Sequence, residues 1–303
     1  MNISVIMSVH NEDSYINESI NSITNQTYKN FEFLILDDAS TDNTNRIIKS
    51  IMKTDKRISL YENKEKKGLT KNLNFLIKKS KFEIIARMDA DDISDKNRFK
   101  KQINFLIHNP KYGLVSTCGH HIDDKSNIIK PIVRPLRGNY FIKKRLKISN
   151  CIIHGSVMLR KDLLDKIGGY DANLMHAQDY DLWLRLNQVC KFYCIRERLF
   201  KVRIHKKSIS HNNSELQLIC AAIGLYKHKM QINKFKDIQV IKDFKIDYNE
   251  LPTQIINYAG RLALLQTNLV KAKFFYKKLE TFNSKIIILF INIFLILNNK
   301  ILK

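Results

Sequence analysis

Apolar and polar residues alternate in blocks along the first hundred positions. ISVIMSV (3–9) is an almost unbroken apolar run, and a helical period follows from Ser14 to Asn25, with Ile16, Ile20 and Ile23 on one face. The same alternation repeats through a strand at FEFLILD (31–37), a helix over 41–53, a strand at RISLYE (57–62), a helix over 69–80 and a strand at EIIARMD (83–89). Strands separated by helices across short polar links predict parallel strands joined by right-handed crossovers. Asp95 is placed to cap a helix over 96–108, whose Phe99, Ile103 and Leu106 form an apolar stripe.

Beyond YGLVSTCG (112–119) the pattern becomes irregular, with Pro131, Pro135 and Gly138 marking connections. A second block opens with the strand-like NCIIHGSVMLR (150–160) and ends with FYCIRERLFKVRIH (192–205). From Ser214 the period is helical, and small and large residues alternate over 253–282 as in a helical hairpin. IIILFINIFLIL (286–297) is twelve residues with Asn292 inside it, whereas crossing a bilayer needs about twenty. A buried terminal helix is expected there, and insertion into a membrane interface beside the flanking lysines is the alternative.

The chain of 303 residues, 44% hydrophobic and 27% charged, has an ordinary globular composition and can build a sizeable core. Its net charge of +23 admits nucleic acid, an anionic membrane or an anionic small molecule as partner. The lysines are spread over the whole length, so a solvated surface explains them better than a dedicated nucleic-acid face. The five cysteines contain no C-x-x-C pair, which indicates neither a zinc site nor a disulfide framework and fits a reducing cytosol. The first residues enter a strand directly, without the basic leader of a secretory signal.

The chemistry concentrates at ARMDADDIS (86–94), where Asp89, Asp91 and Asp92 crowd a strand end. Like charges this close resist ionisation unless a positive group joins them. In an open α/β sheet, ligands gather at such strand ends, and LILDDAS with Asp37 and Asp38 is a second acidic one. Helix capping accounts for one carboxylate per loop, as at Asp42 or Asp95, but not for two or three. An EF-hand counted from Asp89 places Ser94 where Gly is required and Lys100 where Glu is required. A D-x-D-x-T phosphatase would want Thr at 93 and its acids after the first strand. G-x-x-x-x-G-K-[ST] and G-x-G-x-x-G do not occur, which disfavours P-loop and dinucleotide-binding enzymes. A D-x-D holding Mg²⁺ or Mn²⁺ together with a diphosphate remains.

Taken in order, ISVIMSVHNE, INSITNQTYKNFEFLILDDASTDNT, GLTKNLN, ARMDADD, HGSVMLRKDLLDKIGGYD, AQDYDLWLRL and RIHKKSIS resemble the family 2 glycosyltransferases over roughly residues 1–212. The resemblance implies a GT-A fold: an α/β, Rossmann-like, mixed and mostly parallel central sheet flanked by helices. It divides the chain into a nucleotide-sugar half (1–118), an acceptor half (119–212) and a mostly helical C-terminal extension (213–303). It places Ser8, His10, Asn11 and Glu12 at the nucleotide, with His10 where tyrosine is often found and Glu12 also readable as a helix cap. Asp38 matches the acid that hydrogen-bonds uracil, while Asp37 shapes the strand end. Asp91 matches the metal ligand, Asp89 a ribose or metal contact, and His205 a histidine beside the diphosphate and metal; Asp92 is left to cap or orient. Lys71 and Arg203 are candidate phosphate contacts. Asp179 matches the general base, with Gln178 where many members carry Glu, and Asp181 is expected on another face. Trp183, the single tryptophan, is read either as an acceptor-site wall or as core. His154, His120 and His121 receive no role.

The implied enzyme is an inverting, Mn²⁺- or Mg²⁺-dependent transferase. It moves one sugar from a UDP-sugar to a hydroxyl of a glycan or lipid-linked saccharide, in the cytoplasm or peripherally at the inner face of the membrane. Q-x-x-R-W, a mark of processive synthases, is absent, since Leu182 precedes Trp183. Two other functions stay open at this level: a metal-dependent nucleotidyltransferase acting on a sugar phosphate, and a basic nucleic-acid-binding protein.

Overall fold

The computed structural model describes residues 1–132, 138–174, 176–205, 214–230, 241–242, 245–246, 253–265 and 269–279, and the single positions 284, 287, 288 and 291. Four parallel strands, β1 (Ile3–Val9), β2 (Phe31–Asp37), β3 (Ile58–Glu62) and β4 (Ile84–Arg87), lie in the order β3-β2-β1-β4. Their crossovers are α1 (Ile16–Thr24), α2 (Thr44–Met52) and α3 (Leu69–Lys79).

The apolar runs follow from burial on both faces of the sheet. Val5 and Met7 of β1 join Phe33 and Ile35 of β2 beneath Ile16, Ile20 and Ile23 of α1 and Phe99 and Ile103 of α4 (Arg98–His108). The intervening Ile6, Leu34 and Leu36 point the other way, against Leu73, Leu76 and Ile77 of α3. Each such side chain contributes about 1.5–3 kcal/mol relative to exposure.

Past β4 the sheet becomes mixed. β8 (Met158–Arg160) runs antiparallel between β4 and β6 (Tyr112–Ile122), and β9 (Lys191–Arg203) runs parallel to β6. β5 (Ile93–Ser94) pairs antiparallel with β9, and β7 (Ile128–Ile132) makes a hairpin with β6. Two further helices, α5 (Gly138–Leu146) and α6 (Lys161–Ile167), precede α7 (Gln178–Val189). Tyr180, Leu182, Trp183, Leu184 and Leu186 of α7 are all buried.

α8 (Ser214–Met230), α9 (Thr253–Leu265) and α10 (Leu269–Leu279) follow. Leu218, Ile219 and Ala222 of α8 join the apolar cluster that holds α7, as do Ala259 of α9 and Phe275 of α10. The helical pair expected over 253–282 is present as α9 and α10. Of the run 286–297, Ile291 is buried and Ile287 and Ile288 pack half-buried on the same cluster, while its other positions lie outside the described residues. No described helix is long and apolar enough to cross a membrane.

Two details differ from the sequence pattern. α1, α2 and α4 begin two or three residues later than their periodicity suggests, because the polar residues before them fold into turns. Asp42 Oδ1 accepts the Thr44 amide at 2.9 Å, and Asp95 Oδ1 accepts the Asn97 amide at 2.8 Å. The strand-like stretch 150–160 is extended into the sheet only at its end. At 154–156 it coils into a single 3₁₀ turn, closed by Ser156, whose amide and Oγ both donate to the Ile153 carbonyl. Gly155 in this turn is pressed against the sheet: a Cβ there would stand 2.5 Å from Phe200 Cζ and 2.8 Å from Asp89 Oδ2.

Candidate active site

A pocket of about 510 Å³ opens where β1, β2 and β4 end and where α7 begins. The carboxyl ends of parallel strands are where such sheets bind ligands. Ser8, His10, Asn11, Glu12, Asp38, Asp89, Asp91 and Asp179 all line it, although they come from segments up to 171 positions apart (8 to 179). Lys71 does not: it is exposed on α3, and Lys66 in the preceding loop lines the pocket instead.

The loops after β1, β2 and β3 form one wall of the pocket. Asp38 is buried and accepts from the Lys67 amide, the Gly68 amide and Asn63 Nδ2, each at 2.8 Å. Burial pushes its carboxyl up, but these bonds, with that of Asn72, outweigh it and hold Asp38 below the usual carboxylate range. Gly68 has φ +90°, a conformation that side-chain-bearing residues rarely adopt, so it can turn its amide toward Asp38 at little steric cost. His10 Nδ1 meets the Asp38 carbonyl at 2.8 Å, and Asn11, itself at φ 55°, accepts the Thr41 amide at 2.8 Å. Ser8 Oγ accepts from Asn72 Nδ2 at 3.0 Å. The Glu12 carbonyl accepts from Tyr15 and Ile16 and so starts α1.

Each of the three crowded carboxylates has its own protein partner. Asp89 is ion-paired with the buried guanidinium of Arg87. Asp91 Oδ2 lies 3.0 Å from His205 Nε2, and this hydrogen bond raises the imidazole above its ordinary value against the opposing effect of burial. Asp92 is buried and accepts the Arg203 amide at 2.8 Å. Burial, then the neighbouring Asp91, drives the Asp92 carboxyl well up. Arg203 lines the pocket but also braces the loop: its Nε donates to the Asp91 carbonyl at 2.8 Å and its Nη2 to Glu18 at 2.6 Å. Below them, Arg98 donates to the carbonyls of Gly155 at 2.6 Å and Arg87 at 3.3 Å, tying the D-x-D strand to the 3₁₀ turn.

Asp91 and His205 can be tested against the divalent cation that the resemblance implies. Among the described residues, no three or more His, Cys, Asp or Glu side chains converge as a metal cage. The 3.0 Å between Asp91 Oδ2 and His205 Nε2 is nevertheless the spacing of two adjacent ligands of an octahedral ion bound at about 2.1 Å. The pair fits an ion that completes its shell with phosphate oxygens and water, once His205 is neutral.

Asp179 occupies the first turn of α7, and its Oδ2 accepts from Asn150 Nδ2 at 2.7 Å. Asp181 is turned away into an ion pair, 2.7 Å from Arg185 Nη2. Trp183 is wholly buried and belongs to the core. Gln178 lines the pocket beside Asp179.

Several lining residues escaped the sequence reading. His154 stands on the wall with Nε2 2.7 Å from Tyr170 Oη, and burial followed by the nearby Arg87 charge keeps its pKa well below the usual imidazole value. His176 is buried there without a hydrogen bond to either ring nitrogen among the described residues, and Gln217 reaches the pocket from α8. A lone histidine or glutamine carries no periodic or spacing signal, so only the folded chain reveals these positions.

Comparison with known proteins agrees with this geometry. Residues 4–168 match the model of the glycosyl transferase family 2. The chain is 36% identical over 210 residues to the O-antigen biosynthesis glycosyltransferase WbnJ of Escherichia coli, covering 68% of this chain and 81% of that protein. It is 35% identical over 205 residues to the putative glycosyltransferase EpsE of Bacillus subtilis, covering 66% of this chain and 72% of EpsE. Among solved structures, S. aureus TarS 1–349 with UDP-GlcNAc superposes with a TM-score of 0.64 at 13% identity, over 96% of this chain and 89% of TarS 1–349. The mannosyltransferase PcManGT of Pyrobaculum calidifontis, with GDP-Man and Mn²⁺, does so with a TM-score of 0.58 at 19% identity, over 91% of this chain and 73% of PcManGT. With the family match, the relatives and the strand order agreeing, the chain belongs to glycosyl transferase family 2 and is a glycosyltransferase of the GT-A fold.

Proposed function

We propose that the protein transfers a single sugar, with inversion, from a UDP-sugar to a hydroxyl of a glycan or lipid-linked saccharide during surface polysaccharide synthesis. The observation that carries this reading is the convergence of Asp38, Asp91 and Asp179 on one pocket. WbnJ, an O-antigen biosynthesis enzyme, and TarS, solved with UDP-GlcNAc, support the acceptor class and the donor class respectively.

In this mechanism Asp38 and the loop of Ser8, His10 and Asn11 hold the uridine, and Asp89 stands at the ribose. Asp179 accepts the proton of the acceptor hydroxyl as that oxygen bonds to the anomeric carbon. The bond from this carbon to the diphosphate oxygen breaks, and its electron pair leaves with UDP. Attack from the face opposite the leaving group inverts the configuration, so no enzyme nucleophile is required. Asp91 and His205 would hold a divalent cation, which would supply Lewis-acid neutralisation of the charge growing on the diphosphate. Asn150 fixes the rotamer of Asp179, and the pocket walls hold donor and acceptor in line.

A screen of UDP-sugars with Mn²⁺ for UDP release, with and without candidate glycans, tests donor and reaction class together. Asp179→Asn is expected to lower kcat by about 10³-fold while UDP affinity is retained. Transfer at the wild-type rate in that variant would remove Asp179 from the base role.

A further inference from the structure

We propose that the outward face of α5, with the turn that follows it, docks on an anionic phospholipid bilayer. Tyr140, Phe141 and Ile148 are 60%, 57% and 48% exposed, an unusual concentration of large apolar surface in nine residues of chain (140–148). Lys144, Arg145 and Lys147 are exposed among them, and no acidic residue occurs between Gly138 and Ile148. The opposite side of the same helix is core, with Ile142 and Leu146 buried. Apolar groups that enter the acyl boundary, with basic side chains that reach the headgroups, make an interfacial element.

The patch is held in place on the enzyme. Asn139 Oδ1 accepts the Phe192 amide at 3.0 Å, Lys143 Nζ donates to the Asn187 carbonyl at 2.5 Å, and Tyr180 Oη donates to the Leu146 carbonyl at 2.5 Å. The exposed rings are therefore not on a segment free to fold inward.

Charge and ring geometry select the occupant. A second copy of this chain would bring two basic faces together in a protein of net charge +23, which is unfavourable. Single-stranded nucleic acid needs open aromatic faces for stacking. The Tyr140 ring has Lys144 Nζ 4.6 Å from its centroid and Phe141 set against it at 5.4 Å and 81°. An anionic bilayer satisfies the apolar and the basic groups at once.

The position also bears on the reaction. Ile148 is two residues from Asn150, whose side chain holds Asp179. A membrane touching α5 would present lipid-linked saccharides on the base side of the pocket. This last step rests on the proposed function; the docking itself does not.

Phe141→Trp provides the probe, because Trp183, the chain's own tryptophan, is fully buried and gives a constant background. Vesicles of phosphatidylcholine with about 30% phosphatidylglycerol should shift the emission of the introduced indole to the blue and carry the protein in flotation, and pure phosphatidylcholine should do neither. Replacing Lys144, Arg145 and Lys147 together by Gln should weaken partitioning on the order of a hundredfold. Tyr140→Ser with Phe141→Ser should abolish flotation while far-UV circular dichroism stays unchanged. Equal binding to both vesicle types, or wild-type binding by either multiple variant, overturns the proposal. So does a wild-type dimer in vesicle-free sedimentation that the Ser variant loses, or an emission shift with poly(U) but not with vesicles. Vesicle binding without UDP release from any UDP-sugar would sink the UDP-sugar reading and leave docking standing; the reverse result would sink docking alone.

Discussion

Asp89 and Asp91 have cationic or hydrogen-bonding partners of their own in Arg87 and His205, while Asp92 is buried beside Asp91 and its carboxyl is driven up. Charge crowding in the sequence drew attention to this loop, and Arg87 stood within the same stretch, but His205, 114 positions from Asp91, had no local signature. The Asp91–His205 pair stays open to a metal because its members share one hydrogen bond at a ligand-like spacing, whereas Asp89 is committed to a buried arginine. Asp179 was singled out through the resemblance, but Asn150 was not: it stood only as the first residue of a strand-like run, and nothing in that pattern signals a partner 29 positions away. Asn150→Ala removes the donor that orients Asp179 and touches neither Asp38 nor the D-x-D. Its kcat is expected to fall about ten- to a hundredfold with the KM for donor unchanged, measured by UDP release at saturating acceptor. A rise in donor KM with normal kcat would show that Asn150 serves binding instead.

α7 carries Asp179 at its first turn, and its position depends on α8. Lys227 of α8 is buried, with Nζ 2.6 Å from Asp171 and 3.7 Å from Asp181, and Asp181 also pairs with Arg185 on α7. Burial pushes the Asp171 carboxyl up, but the hydrogen bond and charge of Lys227 outweigh it and hold the pKa below its usual value. A depressed carboxylate contributes stability above its unfolded pKa of about 3.9, and that contribution is lost as pH falls through the lower folded value. Lys227→Met should therefore destabilise by about 2–4 kcal/mol near neutral pH, because two carboxylates lose their buried partner. The difference in thermal midpoint between wild type and variant should narrow below about pH 4, as Asp171 becomes protonated. A constant difference across that range would assign the loss to packing. The helical period from Ser214 made α8 visible, yet the sequence said nothing of the ion network that ties it to α7: acids and bases 46 to 56 positions apart (181 or 171 to 227) pair only once the chain has folded. The strands of the first half were readable because both their faces are buried. The 3₁₀ turn at 154–156 was not, since an apolar run looks the same whether it extends or coils.

At the scale of the molecule, the pocket is where the parallel half of the sheet, the mixed half and the C-terminal helices meet. Asp38 comes from the end of β2, Asp91 from the loop after β4, Arg203 from the end of β9, Asp179 from α7 and Gln217 from α8. A ligand that touches all of them cross-links the sheet to α7 and α8. Binding to the native state alone raises stability by about 2.7 kcal/mol at a ligand concentration a hundred times Kd. UDP with Mn²⁺ should accordingly raise the unfolding temperature of the whole protein in one transition, by a few degrees. A chelator should remove most of that shift if Asp91 and His205 share an ion with the diphosphate, and Asp91→Asn should behave like the chelated wild type. Asp179→Asn should keep the full shift, because the base contacts the acceptor and not the nucleotide. Equal shifts with and without metal in the wild type would separate UDP binding from the Asp91–His205 pair, leaving Asp38 and its loop as the anchor of the donor.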